Sequence, residues 1–377
     1  MNHEKMREQV HTGIDRQCAS LTSDPYRVQR VLDAAKTEGG QIMVRKLPRV
    51  VVVLMIVLAL GISAAIAAGI ISWHRGLEDM LRVTDETKEY YQEMELFDEP
   101  GISVTQGDVT VTLEQSIVDM NAAFFAFRVK GYQPPNGQQP SFDSTDVAVD
   151  DASLRLNWEA SFFNGLVVNS ENKAVYLDGS VPDDYSAIPY TDENGELVYI
   201  ITMYSKTPNM IGRHMTITLT DLGVYTDKWG THEAQVPGTW TFEYELKGTE
   251  HNLDFSGLDL EIGDSGSKIT YVHLSPIHIQ MTMDVALSLR EYEMYEDGDI
   301  FIPFFYGVTM KDGTRYDLIT EAGTTGYTSP DWDGHEYQML FTLNRIIEPA
   351  NVDAFLFSYP DANGERQIVE VPFNNPR

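Results

Sequence analysis

Cysteine is nearly missing from this sequence: Cys18 is the only one in 377 residues. An intramolecular disulfide is excluded, so whatever folds must hold by its buried core alone. His3 and His11 lie near Cys18, but no Cys/His zinc spacing is completed, and no metal is expected there. Basic residues are scarce too: 27 Lys and Arg face 57 Asp and Glu, a formal net charge of -30. That excess repels phosphate backbones and anionic lipid, which excludes direct nucleic-acid binding by the acidic part.

Catalytic signatures are also lacking. There is no G-x-S-x-G, no phosphate-binding loop and no cysteine nucleophile beyond residue 18. His335-Glu336 lacks the second histidine of a zinc-protease helix. His273 and His278 stand five apart in what reads as one strand, so they are expected on opposite faces, unable to share a metal. Asp192-Glu193-Asn194-Gly195 and Asp297-Gly298-Asp299 are fragments of calcium loops without the alternating acidic ligands, and read as turns. The expectation is a protein that is not an enzyme and carries no cofactor.

What is present is unevenly placed. Residues 1–49 hold nine Lys/Arg against six Asp/Glu, residues 50–72 hold no charge, and the remainder holds 18 against 51. The uncharged run Val50–Ile71 would make a helix of roughly 33 Å, enough for a hydrocarbon core of about 30 Å. Arg45, Lys46 and Arg49 precede it, which predicts a cytoplasmic N-terminus, and Trp73 suits the outer interface. Ala65-Ile66-Ala67 resembles a signal-peptide cleavage site. However, the run exceeds the usual ~7–15 residue core of a signal peptide and 49 residues precede it, so a retained transmembrane helix is expected. Gly61, Ala65 and Gly69 share one face of that helix and are candidate positions for helix packing, though Gly and Ala are common in membrane helices anyway.

Before the run, a helix is predicted over Glu4–Ser20 with Met6, Val10, Ile14 and Leu21 as its apolar positions. A second begins at Asp24-Pro25, an N-cap followed by proline at the first helical position. Val28, Val31, Leu32 and Ala35 follow at helical spacing. Two short amphipathic helices cannot bury a core alone. A cytoplasmic protein that takes them into a groove is the expected cover, with the inner membrane surface as the other candidate. Tyr26, Val28, Val31 and Leu32 are the candidate contact residues.

After the run, a helical connector is predicted over 73–101, with Leu77, Met80, Leu81 and Val83 as its first apolar positions and Asp85–Met94 as a further short helix. From Ile102 the period changes to two: Val109, Val111 and Leu113 alternate with polar residues after a Gln106-Gly107-Asp108 turn. Phe124–Lys130, Leu154–Trp158, Val198–Ser205, Met215–Thr220 and Trp240–Leu246 read as further strands. Lys247–Asn252 reads as a linker. Beyond it come Ser267–Leu274, Ile277–Leu289, Ile300–Met310, Thr314–Ile319, Tyr337–Leu343, Ala354–Ser358 and Gln367–Val371. Lys311–Thr314 and Asp361–Gly364 read as hairpin turns. The pattern predicts a mostly β fold of two tandem antiparallel β-sandwich domains, 102–248 and 253–377.

The stretches HEKMREQVHTGIDRQ (His3–Gln17), DPYRVQRVLDAAK (Asp24–Lys36) and Leu81–Tyr132 carry a likeness. Together with the apolar helix, they resemble a family of Gram-positive membrane proteins commonly labelled anti-sigma factors, whose ectodomain is a domain of unknown function. The C-terminal part resembles the immunoglobulin-related domain that follows in such proteins. The resemblance implies that the cytoplasmic segment holds an extracytoplasmic-function sigma factor until an envelope signal, relayed through an envelope protease or a conformational change, releases it. The His-x3-Cys-x2-Cys pattern of zinc-containing anti-sigma factors is absent, as is a self-cleavage site. The alternative expectation is a membrane-anchored cell-surface binding or adhesion module, which would have no use for two amphipathic helices inside.

Overall fold

The computed structural model describes residues 73–373 apart from short internal stretches, the longest being 287–302, 318–324 and 329–335. The two expected N-terminal helices, the apolar run Val50–Ile71, Asp297–Asp299, His335 and the Asp361–Gly364 turn lie outside the described residues; of the expected Asp85–Met94 helix five residues are described, and Asp85, Thr87, Lys88 and Tyr91 are helical. No helix among the described residues is long and apolar enough to cross a membrane.

The first element is a short helix, α1 (Arg75–Met80), whose N-cap is the His74 side chain accepting from the Gly76 amide at 3.1 Å. Eleven strands follow: β1 (Phe97–Asp98), β2 (Ile102–Gln106), β3 (Val109–Val118), β4 (Ala122–Lys130), β5 (Pro140–Val149), β6 (Leu156–Phe163), β7 (Val167–Val168), β8 (Ala174–Val175), β9 (Leu197–Ser205), β10 (His214–Tyr225) and β11 (His232–Glu245). β2 and β3 are joined by a two-residue hairpin in which Gly107 takes φ 59°, a conformation costly for any residue with a Cβ. One sheet has the order β1-β3-β4-β9-β6, with β2 also on β3; a second is β11-β10-β5; β7 and β8 form a pair of their own. All these pairings are antiparallel.

Period two makes the core. Trp240, Phe242, Tyr244 and Leu246 are buried while the residues between them are exposed. They meet Phe125, Phe127 and Ile201 from the other sheet in one cluster, each large apolar side chain contributing about 1.5–3 kcal/mol by leaving water. β10 carries a bulge at Asp221, which sits at φ 47° and accepts the Gly238 amide on its Oδ1 at 2.8 Å.

The second group is β12 (Leu253–Glu261), β13 (Lys268–Leu274), β14 (His278–Asp284), β15 (Phe304–Met310), β16 (Arg315–Asp317), β17 (Thr325–Thr328), β18 (Glu336–Thr342), β19 (Val352–Pro360) and β20 (Arg366–Pro372). They form the antiparallel sheets β12-β13-β14-β18-β17 and β16-β15-β19-β20 around a separate core that includes Phe305, Met281, Phe341 and Phe355. The Lys311–Thr314 turn is closed as the sequence suggests, with Asp312 Oδ1 accepting the Thr314 amide. The fold is mostly β, in several antiparallel sheets.

The reading of the two histidines needs correction. His273 is the penultimate residue of β13 and His278 begins β14, because Pro276 cannot continue a ladder and the chain turns, Ser275 N–H bonding His278 C=O at 2.8 Å. The two rings come within 5.3 Å instead of pointing apart.

Candidate functional site

The residues singled out from the sequence, Tyr26, Val28, Val31, Leu32, Gly61, Ala65 and Gly69, all lie outside the described residues. The structure brings together a different set, where the chain enters the β-rich part. A third apolar cluster joins Leu77, Leu81, Val83, Tyr91 and Leu96 of the connector to Ile117, Phe124, Ala126 and Ile200 of the first strand group, and to Ile277 and Ile346 of the second. Leu77 and Leu96 are fully buried and Leu81 is 1% exposed. A segment that only spaced a domain from an anchor would leave such side chains in water.

Polar contacts fix the same segment. The His74 amide donates to Gln115 Oε1 at 2.9 Å, and Tyr91 Oη donates to the Ile346 carbonyl at 3.1 Å. Trp73 packs on Phe97 at 4.7 Å and on Tyr91 at 6.2 Å between ring centroids. Because His74 Nδ1 accepts from Gly76, its proton sits on Nε2, which lies 3.3 Å from Glu114 Oε2. That contact is close in distance but off the hydrogen-bond axis, so Nε2 has no geometric partner. Burial outweighs the neighbouring carboxylate and pushes the imidazole down to about 4.

Glu114 is shared with Arg128, whose Nε meets it at 2.7 Å while Nη1 meets Glu196 at 2.9 Å. Arg128 Nη1 also lies 3.4 Å from Asp192. Asp192 Oδ1 accepts the amides of Asn194 and Glu196, both at 2.9 Å, so the expected turn is what this fragment forms. Among the described residues no group of three His, Cys, Asp or Glu is placed to hold a metal.

A buried carboxylate that sequence reasoning missed ties the two strand groups together. Asp119, 2% exposed, accepts the amides of Asn121 (2.8 Å) and Ala122 (2.5 Å) on Oδ1 and the Ser275 hydroxyl on Oδ2. Burial pushes its carboxyl up, against those three hydrogen bonds. His273 and His278 lie on the strands flanking Ser275, and neither ring nitrogen of fully buried His278 has a hydrogen-bond partner among the described residues. Burial holds that imidazole well below its ordinary value, in the neutral form. Asp119-Met120-Asn121 carries no catalytic or metal-ligand spacing, so nothing local marked it.

Beside α1 opens a cleft of about 640 Å³ that Arg75, Gly76 and Asp79 line together with Asn164, Tyr176 and Tyr190. A second cleft of about 550 Å³ continues past Tyr190 toward Tyr185 and Gln138.

No protein-family model matches the chain. No curated protein matches it either. A crystal structure titled as that of the conserved domain protein from Bacillus anthracis is similar at 12% identity, covering 74% of this chain and 91% of its own, with a TM-score of 0.45.

Proposed function

We propose that this chain is a single-pass membrane signalling protein of the anti-sigma type. In this reading residues 50–72 cross the bilayer, residues 1–49 hold an extracytoplasmic-function sigma factor in the cytoplasm, and tandem immunoglobulin-like sandwiches sense an envelope state outside. Tyr26, Val28, Val31 and Leu32 would fill the partner's groove, and Gly61, Ala65 and Gly69 would line a helix-packing face. The observation that carries the reading is the burial of the connector in a core built from both strand groups. A change in how the groups pack is felt directly at Leu77 and Leu81, a few residues from the expected end of the membrane helix. Release would follow by an envelope protease or by conformational change.

The test is affinity capture of the full chain from its host membranes, beside a chain lacking residues 1–48, with transcripts profiled in parallel. A sigma factor is expected with the full chain only, and its regulon is expected to rise on deletion. Absence of a sigma factor from both captures, with unchanged transcripts, overturns the assignment.

A further inference from the structure

The cleft beside α1 and the second cleft share Ile188, Pro189, Tyr190 and Thr191 in their walls, and so adjoin along that segment as a two-part groove. We infer that this groove binds a neutral or N-acetylated glycan chain. That its occupant bears on signalling rests on the function proposed above.

The lining is what points to sugar. Three tyrosines stand along it, and two of them are kept open to solvent: Tyr176 is 40% exposed and Tyr185 48%. A soluble protein buries large rings where it can, and exposed ones that lie together mark a contact surface. Two of the rings are held through their side chains, and the third through its backbone. Tyr185 Oη donates to the Ala174 carbonyl at 2.8 Å. The Tyr176 backbone is fixed by the Ser180 carbonyl and the Gly179 amide, in a turn capped by Asp178 Oδ1 accepting from the Ser180 amide at 2.9 Å. Tyr190 packs against the first core. Rings fixed in place, as those of Tyr185 and Tyr190 are, can stack on the C–H faces of pyranoses at little entropic cost.

Between the rings lie groups that match vicinal hydroxyls. Asn164, Asp178, Ser180 and Thr191 line the α1 end, and Gln133, Gln138 and Gln139 the other. Amides and hydroxyls both donate and accept, as sugar hydroxyls and acetamido groups require. Each cleft is within the range of about 300–1,000 Å³ typical of ligand sites, and two that adjoin suit a chain more than a single small molecule.

Charge excludes the main rivals. Arg75 is the one cationic side chain lining the groove among the described residues, and Asp79 lies 3.6 Å from it. Asp178 and Asp192 add negative charge, so a phosphate-bearing polymer would be repelled. Leu177 and Val181, 48% and 57% exposed, could suggest a lipid surface. The same loop carries Asp178, Asp183 and Asp184, which oppose an anionic leaflet.

The experiment uses the full chain in neutral detergent. Chitotetraose, cellotetraose and glycerol phosphate are titrated calorimetrically, and amide hydrogen exchange is followed with and without sugar. Binding of chitotetraose or cellotetraose is expected, with slowed exchange in residues 174–192 and 75–80. Tyr176→Ala and Tyr185→Ala should each weaken it roughly tenfold, Tyr176→Phe should retain it, and Ile368→Ala, exposed on the other strand group, should leave it unchanged. No binding of either neutral oligosaccharide, binding indifferent to both tyrosines, or preference for glycerol phosphate overturns the inference. So does protection of 174–192 by phosphatidylglycerol nanodiscs without sugar, which would assign the surface to lipid. Failure to capture a sigma factor would not alter any of these results, so the two proposals fail separately.

Discussion

His74 and Asp119 are both buried titratable groups near the junction, and they push stability with pH in opposite directions. His74 is depressed to about 4 by burial, so the unfolded chain takes up its proton first as pH falls. Its contribution is therefore intact above about pH 6.5 and drains away between there and about pH 4, up to about 3 kcal/mol. His74→Gln, which keeps an acceptor for the Gly76 amide, should lose less stability across that window in denaturant titrations. Equal losses in the two proteins would contradict a buried neutral imidazole. Asp119 is raised by burial, so its contribution is full below the unfolded value of about 3.9 and is lost as pH rises through the folded one. Asp119→Asn should flatten that slope. Asp119→Ala should cost about 3 kcal/mol or more, since two backbone amides and the Ser275 hydroxyl lose their acceptor. A melting temperature unchanged by Asp119→Ala would remove this carboxylate from the account.

At the scale of elements, α1 sits on β9 because Gly76 has no side chain: a Cβ there would come within 2.6 Å of Val198 Cγ1. Val198 is β-branched and cannot simply swing aside. Gly76→Ala gains roughly 1 kcal/mol of helix propensity but must lift the helix, and the clash is expected to win. Faster amide exchange in residues 75–81 with the sheets unchanged is the expected result. A slower exchange would mean that propensity dominates.

Which elements were legible follows from their chemistry. β3, β4, β9 and β11 alternate or run apolar, and each was visible as sequence. β5 was not, because Pro140, Asp143, Ser144 and Asp146 read as loop, and its burial does not alternate cleanly. β12 was missed because Gly257, at φ 69°, lies within a break of register between Ser256 and Leu260, and half its residues face water. The connector's spacing suggested helix, which the structure forms at its start over Arg75–Met80; Leu81 and Val83 lie past that helix, Phe97–Asp98 is strand β1, and the burial of the segment was not legible. Ile277 and Ile346, which cover it, are more than 170 residues away, and no local pattern reports such a partner. The tyrosine groove is hidden for the same reason, being assembled from segments around residues 75, 133, 164 and 176–192.

At the scale of the whole molecule, the charge map and the packing bear on the same question. The uncharged run separates a segment of nine basic and six acidic residues from one of 18 and 51. A chain so divided can carry a message only through what joins the parts, and the connector is where the β-rich part grips that joint. Asp119 and Ser275 bind the two strand groups to each other, while Tyr91 and Leu81 bind the connector to Ile346. Leu77→Ala should therefore do more than cost about 2–5 kcal/mol of core burial. It should also free the connector and, on the function proposed above, change how much sigma factor the full chain retains in capture from membranes. Retention unaltered by Leu77→Ala would separate the connector from regulation.

The central claim is that residues 75–81 belong to the fold of the β-rich part and are not a free tether. Amide hydrogen exchange of the full chain in lipid nanodiscs tests it most directly. Residues 75–81 should exchange as slowly as β3, β4 and β9, and Leu77→Ala should speed them. Exchange of 75–81 at unprotected rates, with those strands still protected, would contradict the account.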